Sequence, residues 1–401
     1  MIVTGGAGMR RAQRVRRYVL PVAIAAALAL ATAGPMRGAP PAPARTSATP
    51  TDEFLRAVVI RVLGEERRVI GETPEPVQVV VARVRAGAAS EVRAEYSPPP
   101  GTERTALLRP GDRIIITRLS DAPNAPYAVV DRDRLAPLLI IFALFVAGAV
   151  YFSRIRGFTS VIGLMITIVV LARFVVPGIL GGGNPLTVSL AGALVIALVS
   201  IYLAHGFSRR TSVALLGTLI TLALSAVLAI VFVRLAWLSG SGSEEAMYLA
   251  LGPAAAVNLR GLLLGGIILG ALGVLDDITT GQAAAVDEIS KANPALPPAE
   301  LYRRGLSVGQ EHITSLVNTL VLAYAGASLP LFLLFTVYAD QPFWVTINSE
   351  FLAEEIVRTL VGSLTLILAV PITTLLAARL LRHTGGVVST GNITAHGHHH
   401  R

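Results

Sequence analysis

Apolar residues come in long blocks in the last two-thirds of this chain, and those blocks decide what it can fold into. A segment needs roughly 20 predominantly apolar residues to cross the hydrocarbon core of a bilayer. Seven stretches reach or approach that length: 135–152, 158–176, 186–204, 212–238, 257–275, 313–338 and 356–381. An eighth, 18–33, is shorter and follows Arg10, Arg11, Arg14, Arg16 and Arg17. Its ending, Ala31, Thr32 and Ala33, fits a signal-peptidase site as well as it fits a retained anchor. Charged residues make up only 15% of the 401 positions and hydrophobic ones 53%, whereas soluble domains carry about a quarter charged residues. The expectation is therefore an α-helical polytopic membrane protein of about eight spans, the first a signal peptide or an anchor.

Basic residues set its orientation. With the N-terminus inside, the cytoplasmic loops hold Arg154 and Arg156, then Arg209 and Arg210, then Lys291, Arg303 and Arg304, and finally Arg382. The opposite loops, 177–185, 239–256 and 339–355, contain no lysine or arginine, but do hold Glu244, Glu245, Asp340, Glu350, Glu354 and Glu355. Positive charge collects on the cytoplasmic side of inserted helices, so the chain is expected in the cytoplasmic membrane, with both termini cytoplasmic unless the first span is cleaved. The net charge of +9 is accounted for by this pattern. Between 34 and 135, 15 arginines face 13 acidic residues, a near balance that argues against a nucleic-acid surface.

Between the first two spans the pattern changes. Residues 34–53 form a Pro/Ala-rich linker too poor in apolar residues to fold. Short β-branched runs follow at 58–62, 77–84, 92–96, 113–118 and 127–130, separated by Pro, Gly and Asp. About five short strands over 54–134 predict a small extracytoplasmic β-barrel of OB type. The expected layout is then 1–33 basic end and first span, 34–53 linker, 54–134 β domain, 135–381 seven-span membrane domain, and 382–401 a cytoplasmic tail with His396, His398, His399 and His400.

Polar residues that could carry chemistry gather between 257 and 335. Gly261 with Gly265, and Gly266 with Gly270, are two consecutive GxxxG spacings, which let another backbone pack closely. Asp276 and Asp277 follow, then Asp287 and Glu288; on a continuous helix residues eleven apart align, placing Asp276 over Asp287 and Asp277 over Glu288. Carboxylates at a membrane boundary are costly unless they bind something or stay wet. Farther on, Glu311, Ser315 and Asn318 share one helix face with spacing i, i+4, i+7, and His312, Ser315 and Thr319 lie at i, i+3, i+7. Polar groups do not face lipid cheaply, so this stripe is expected against protein or water, where it could meet the carboxylates. Gly326 and Pro330, and Pro371 in the last span, are expected to interrupt their helices. Arg173, Arg234 and Arg260 are expected to snorkel at span ends.

Other chemistries lack their residues. There is no cysteine, hence no disulfide or thiolate site. No GxxxxGK[ST] loop and no HExxH occur, and no nucleophile stands with a base, so no enzyme, cofactor or metal centre is expected.

The stretches LGVLDDITTGQAAAVDEI (272–289) and VGQEHITSLVNTLVLAYAGASLPL (308–331) resemble the YibE/F family of bacterial membrane proteins. The resemblance extends to the layout over nearly the whole chain: an N-terminal span, an outer β domain, then a run of spans. On the family's pattern Asp276, Glu288, Gly309, Glu311, Asn318, Thr319, Ala323, Tyr324 and Gly326 fall at characteristic positions. Membership implies transport or export without naming a substrate. The leading expectation is an ion-coupled transporter or permease for an unknown solute or ion, in contact with membrane lipids. Its site would lie where the 257–275 helix, the acidic segment and the 311–319 polar face converge. The competing expectation is a non-transporting scaffold or sensor, whose outer domain binds an extracytoplasmic protein partner and whose acidic loop is a docking surface.

Overall fold

A computed structural model describes residues 54–70, 73–85, 90–99, 106–118, 127–252, 256–337 and 342–382. The expected span at 18–33, the linker 34–53 and the histidine-containing end of the tail lie outside these residues. The chain divides into two compact units, one formed by Pro41–Phe152 and the other by the rest.

The first unit is built on five strands: β1 (Leu55–Ile70), β2 (Thr73–Val84), β3 (Glu91–Tyr96), β4 (Arg113–Arg118) and β5 (Tyr127–Arg132). They close into a barrel in the order β1-β2-β3-β5-β4, with β1 returning to β4 and only β3 and β5 parallel. Alternation explains the core: Val59, Val80, Ala82, Ala94, Ile114 and Ile116 point inward and are buried. One polar side chain is buried with them. Gln78 donates from Nε2 to Leu108 O (3.2 Å) and accepts from Leu108 N (2.8 Å), satisfying both ends of its amide.

The strands β1 and β2 run longer than alternation predicts. Their pairing continues to Ile70 opposite Thr73, with two register shifts on the way. The added stretch, Glu65, Glu66, Arg67 and Arg68, has no apolar face in its sequence and continues as a backbone-paired ribbon. The tight turn before β4 needs its glycine, since Gly111 adopts φ +95°. Beyond β5, Arg134 reaches Asp131 at 2.6 Å. Its guanidinium, with the Arg132 backbone N–H, holds the Asp131 carboxyl below the usual carboxylate range. Helix α1 (Leu135–Ile155) follows, and none of its apolar window is buried. Arg154, at φ 51° and ψ −129°, breaks the helix there.

The second unit is a helix bundle. Its helices are α2 (Gly157–Leu180), α3 (Pro185–His205), α4 (Arg209–Leu235), α5 (Glu244–Leu251) and α6 (Leu259–Ala292). They are followed by α7 (Pro298–Ala327), α8 (Leu329–Val337), α9 (Phe343–Ile347) and α10 (Glu350–Leu380). Within α2 the residues Leu171–Val175 form a π-helical turn. Helix α6 is the axis of the unit, packing against α3, α4, α7 and α10, while α10 also packs on α4 and α7. Side-chain oxygens start several helices: Asn184 accepts from Leu186 N, Ser208 from Thr211 N, Ser243 from Ala246 N and Asn258 from Gly261 N. Each satisfies one of the donors that a helix start leaves open.

Six helices among the described residues, α1, α2, α3, α4, α6 and α10, are long and apolar enough to cross a membrane. The expected count of about eight is not confirmed by these six, the first expected span lying outside the described residues. The 313–338 span is not one helix, because α7 begins at Pro298 and ends at Ala327, and α8 takes over at Leu329. Pro371, expected to interrupt the last span, sits inside a continuous α10. Thr374 Oγ1 donates to Val370 O (2.6 Å) in the same turn, and membrane helices absorb proline through such local adjustments. Arg260, at the start of α6, is exposed and donates from Nε to Leu238 O at 2.8 Å.

Candidate functional site

Asp276 and Asp277 lie midway along α6, where successive side chains point about 100° apart. The two carboxylates consequently enter different surroundings. Asp276 faces a cavity of about 300 Å³ between α2, α3 and α6, lined by Ser160, Thr167 and Ser200 together with apolar residues such as Leu171, Ile196 and Leu269. Its Oδ2 accepts a hydrogen bond from Ser200 Oγ at 3.3 Å. Its Oδ1 is buried with no hydrogen-bond partner, and no basic side chain pairs with the group among the described residues.

Asp277 is exposed and borders a second cavity, of about 200 Å³, at the start of α4, shared with His205, Arg210, Thr211 and Thr280.

Below this pair the helix core holds further buried polar groups, several of them hydrogen-bonded across helices. Thr218 and Thr279 share a hydrogen bond of 2.6 Å between α4 and α6. The buried Gln282 donates from Nε2 to Gly305 O and to Thr374 Oγ1, both at 2.7 Å. It thereby ties α6 to α7 and α10. Gly305 and Gly309 make this approach possible: a Cβ at Gly305 would stand 2.7 Å from Val286 Cγ2, and one at Gly309 would stand 2.9 Å from Gln282 Oε1.

The second acidic pair has a different fate. Helix α6 is continuous, so the eleven-residue alignment of Asp276 with Asp287 and of Asp277 with Glu288 holds in register. Lys291 reaches both Asp287 (2.6 Å) and Glu288 (2.8 Å), and Arg210 comes within 3.9 Å of Glu288. Glu288 is therefore a paired, exposed surface carboxylate.

The polar stripe of α7 does not join the carboxylates. Glu311, His312, Ser315, Asn318 and Thr319 are all exposed, because α7 packs on its neighbours through Leu301, Gly305 and Gly309 and then through Leu306, Ile313, Leu316 and Val317. The stripe lies on the opposite face, and the expected convergence with Asp276 is absent. Gly326 has open space around it. The two GxxxG spacings also part company. Gly261 and Gly265 press against α3, where a Cβ at Gly265 would stand 2.9 Å from Ser189 Cβ; Gly266 has nothing near, and Gly270 meets only the Tyr324 hydroxyl at 3.5 Å.

One polar arrangement had no signal in the sequence beyond acidic residues in a loop without lysine or arginine. Glu350 Oε1 accepts from Ser239 N (2.6 Å), Ser239 Oγ (2.6 Å) and Gly240 N (3.0 Å), and its Oε2 accepts from Ser241 Oγ (3.3 Å). The buried Glu354 accepts from Gly242 N at 2.9 Å. Two carboxylates at the start of α10 thus clasp the loop between α4 and α5. Gly240, at φ +88° and against Leu259, has no room for a Cβ.

A family model described as YibE/F-like protein matches residues 139–383, more than half of the chain. No curated protein and no solved structure matches it.

Proposed function

The chain belongs to the YibE/F-like family, and we propose that it is an ion-coupled permease of the cytoplasmic membrane whose ion site is built around Asp276. One observation carries this reading. Asp276 is a carboxylate on the central helix of a membrane-type bundle, beside a cavity, with one oxygen unpartnered and no basic side chain paired with it among the described residues. Structural carboxylates within spans are normally paired, and an uncompensated one marks an ion or substrate path by default. Its neighbour Asp277, in a separate and more open cavity beside Arg210, would be the vestibule on the same side.

The arginine pattern supports a cytoplasmic position for that side, with the Ser239–Glu350 contacts at the opposite, outer end. The five-stranded barrel, read as OB-type from its strand order and its parallel β3–β5 pair, would be extracytoplasmic and present solute or partner to the membrane domain.

The test is reconstitution of the full chain into vesicles enclosing sodium- and proton-sensitive dyes, with an inward gradient of each ion in turn. Wild-type protein is expected to pass at least one ion faster than protein-free vesicles, and Asp276→Asn to return flux to that background. Undiminished flux through Asp276→Asn would sink the proposal, as would wild-type vesicles that behave like empty ones.

A further inference from the structure

The side chains around Asp276 also say what kind of ion they suit. Resting on the reading of Asp276 as the ion site, we infer that this cavity binds a small, hard monovalent cation held by the Asp276 carboxylate with the hydroxyl oxygens of Ser200 and Thr167.

The argument turns on where the hydroxyl hydrogens point. Thr167 Oγ1 donates to Gly163 O at 3.0 Å, one turn back on α2. Ser200 Oγ donates to Asp276 Oδ2 at 3.3 Å. Each hydroxyl has one hydrogen, and with it committed to a protein acceptor, what remains for a ligand is oxygen lone pairs. Asp276 Oδ1 adds a buried acceptor that has no donor. No lining residue carries an amide, amine, guanidinium or imidazole. The cavity therefore offers acceptors, and an anion would find little to bind.

Hard cations select such all-oxygen sets. A single carboxylate between apolar walls balances one positive charge and leaves a divalent ion half-compensated, which is costly away from water. The volume, about 300 Å³, leaves room for the ion to keep part of its water shell. A bare proton would need the carboxylate alone and would be indifferent to Thr167, and this difference separates the two ions.

The experiment is thermal unfolding of the full chain in detergent, titrated with sodium chloride against choline chloride at constant ionic strength and fixed pH. Wild type, Asp276→Asn, Ser200→Ala and Thr167→Val are compared. Binding to the native state raises the melting temperature by mass action, so sodium is expected to give a saturable rise that choline does not. Asp276→Asn should abolish the rise. Ser200→Ala and Thr167→Val, which keep shape and charge, should each move the half-saturating sodium concentration up about tenfold, the scale of one bond to a charged group.

A wild type that responds equally to sodium and choline overturns the inference, as does a sodium response that Thr167→Val and Ser200→Ala leave unchanged. If the melting temperature instead follows pH through Asp276 alone and ignores sodium, the cation site is wrong while proton-coupled transport stands. A saturable sodium site in a protein that passes no ion in vesicles supports the site and removes the transport reading.

Discussion

At the scale of single residues, the 100° step between neighbours on an α-helix does much of the sorting in α6. Asp276 turns toward α2 and α3 and Asp277 toward the start of α4. Gly265 and Gly266 divide in the same way, one pressed on Ser189 and the other open. Gly265→Ala is therefore expected to cost about 1–3 kcal/mol through overpacking. Gly266→Ala should be neutral or stabilising by a few tenths of a kcal/mol, since alanine restricts the unfolded chain and suits a helix better. Melting temperatures of the two variants in one detergent decide it, and equal losses at both positions would contradict the packing described. The sequence marked both glycines and both aspartates as noteworthy. It could not say which of each pair faces inward, because that depends on where α3 lies, and α3 is about 75 residues away.

At the scale of elements, the strands and most spans were legible because apolar periodicity is local. The five strands appear where alternation placed them, and six of the expected spans appear as long apolar helices. What was not legible lacks that periodicity. The charged half of the β1–β2 hairpin is held by backbone pairing, and the start of α7, from Pro298 through Arg304, is a polar helix that hydropathy reads as loop. The stripe of Glu311, Ser315 and Asn318 was recognised as a face, but its direction was set by Gly305 and Gly309, which admit Val286, Gln282 and Val370 on the other side.

The clasp between Glu350 and the loop at Ser239–Ser241 joins residues about 110 positions apart, and no local pattern announces it. Glu350→Ala should remove all of these acceptors at once. Amide hydrogen exchange at Ser239 and Gly240 is expected to quicken by about tenfold or more, a bond to a charged group being worth about 1.5–3 kcal/mol. Glu354→Ala should leave those two amides protected and expose Gly242 instead. Exchange unchanged in Glu350→Ala would mean that the loop is held by something other than this carboxylate.

At the scale of the whole molecule, the lack of cysteine makes sidedness directly measurable. Single cysteines placed by Ser208→Cys, beside the arginine pair, and Ser241→Cys, in the clasped loop, report on opposite ends of the bundle. In intact cells an impermeant maleimide is expected to label Ser241→Cys and to reach Ser208→Cys only after lysis. The reverse pattern would invert the orientation and with it the direction assigned to the Asp276 cavity. One further property follows from the π-helical turn at Leu171–Val175. Such a turn holds one residue more than α-helical pitch requires. Val175, the last residue of the turn, meets Gly192, and Gly178 beyond it meets Val188, so that end of α2 is moored to α3. The other end carries Ser160 and Thr167 into the cavity beside Asp276. Drawing the surplus residue back into regular pitch would swivel this half by about 100° and slide it about 1.5 Å. Thr167 would then leave the cavity and an isoleucine neighbour would enter. With a cation held there as proposed, that shift would exchange an oxygen ligand for hydrocarbon without any helix leaving its place in the bundle.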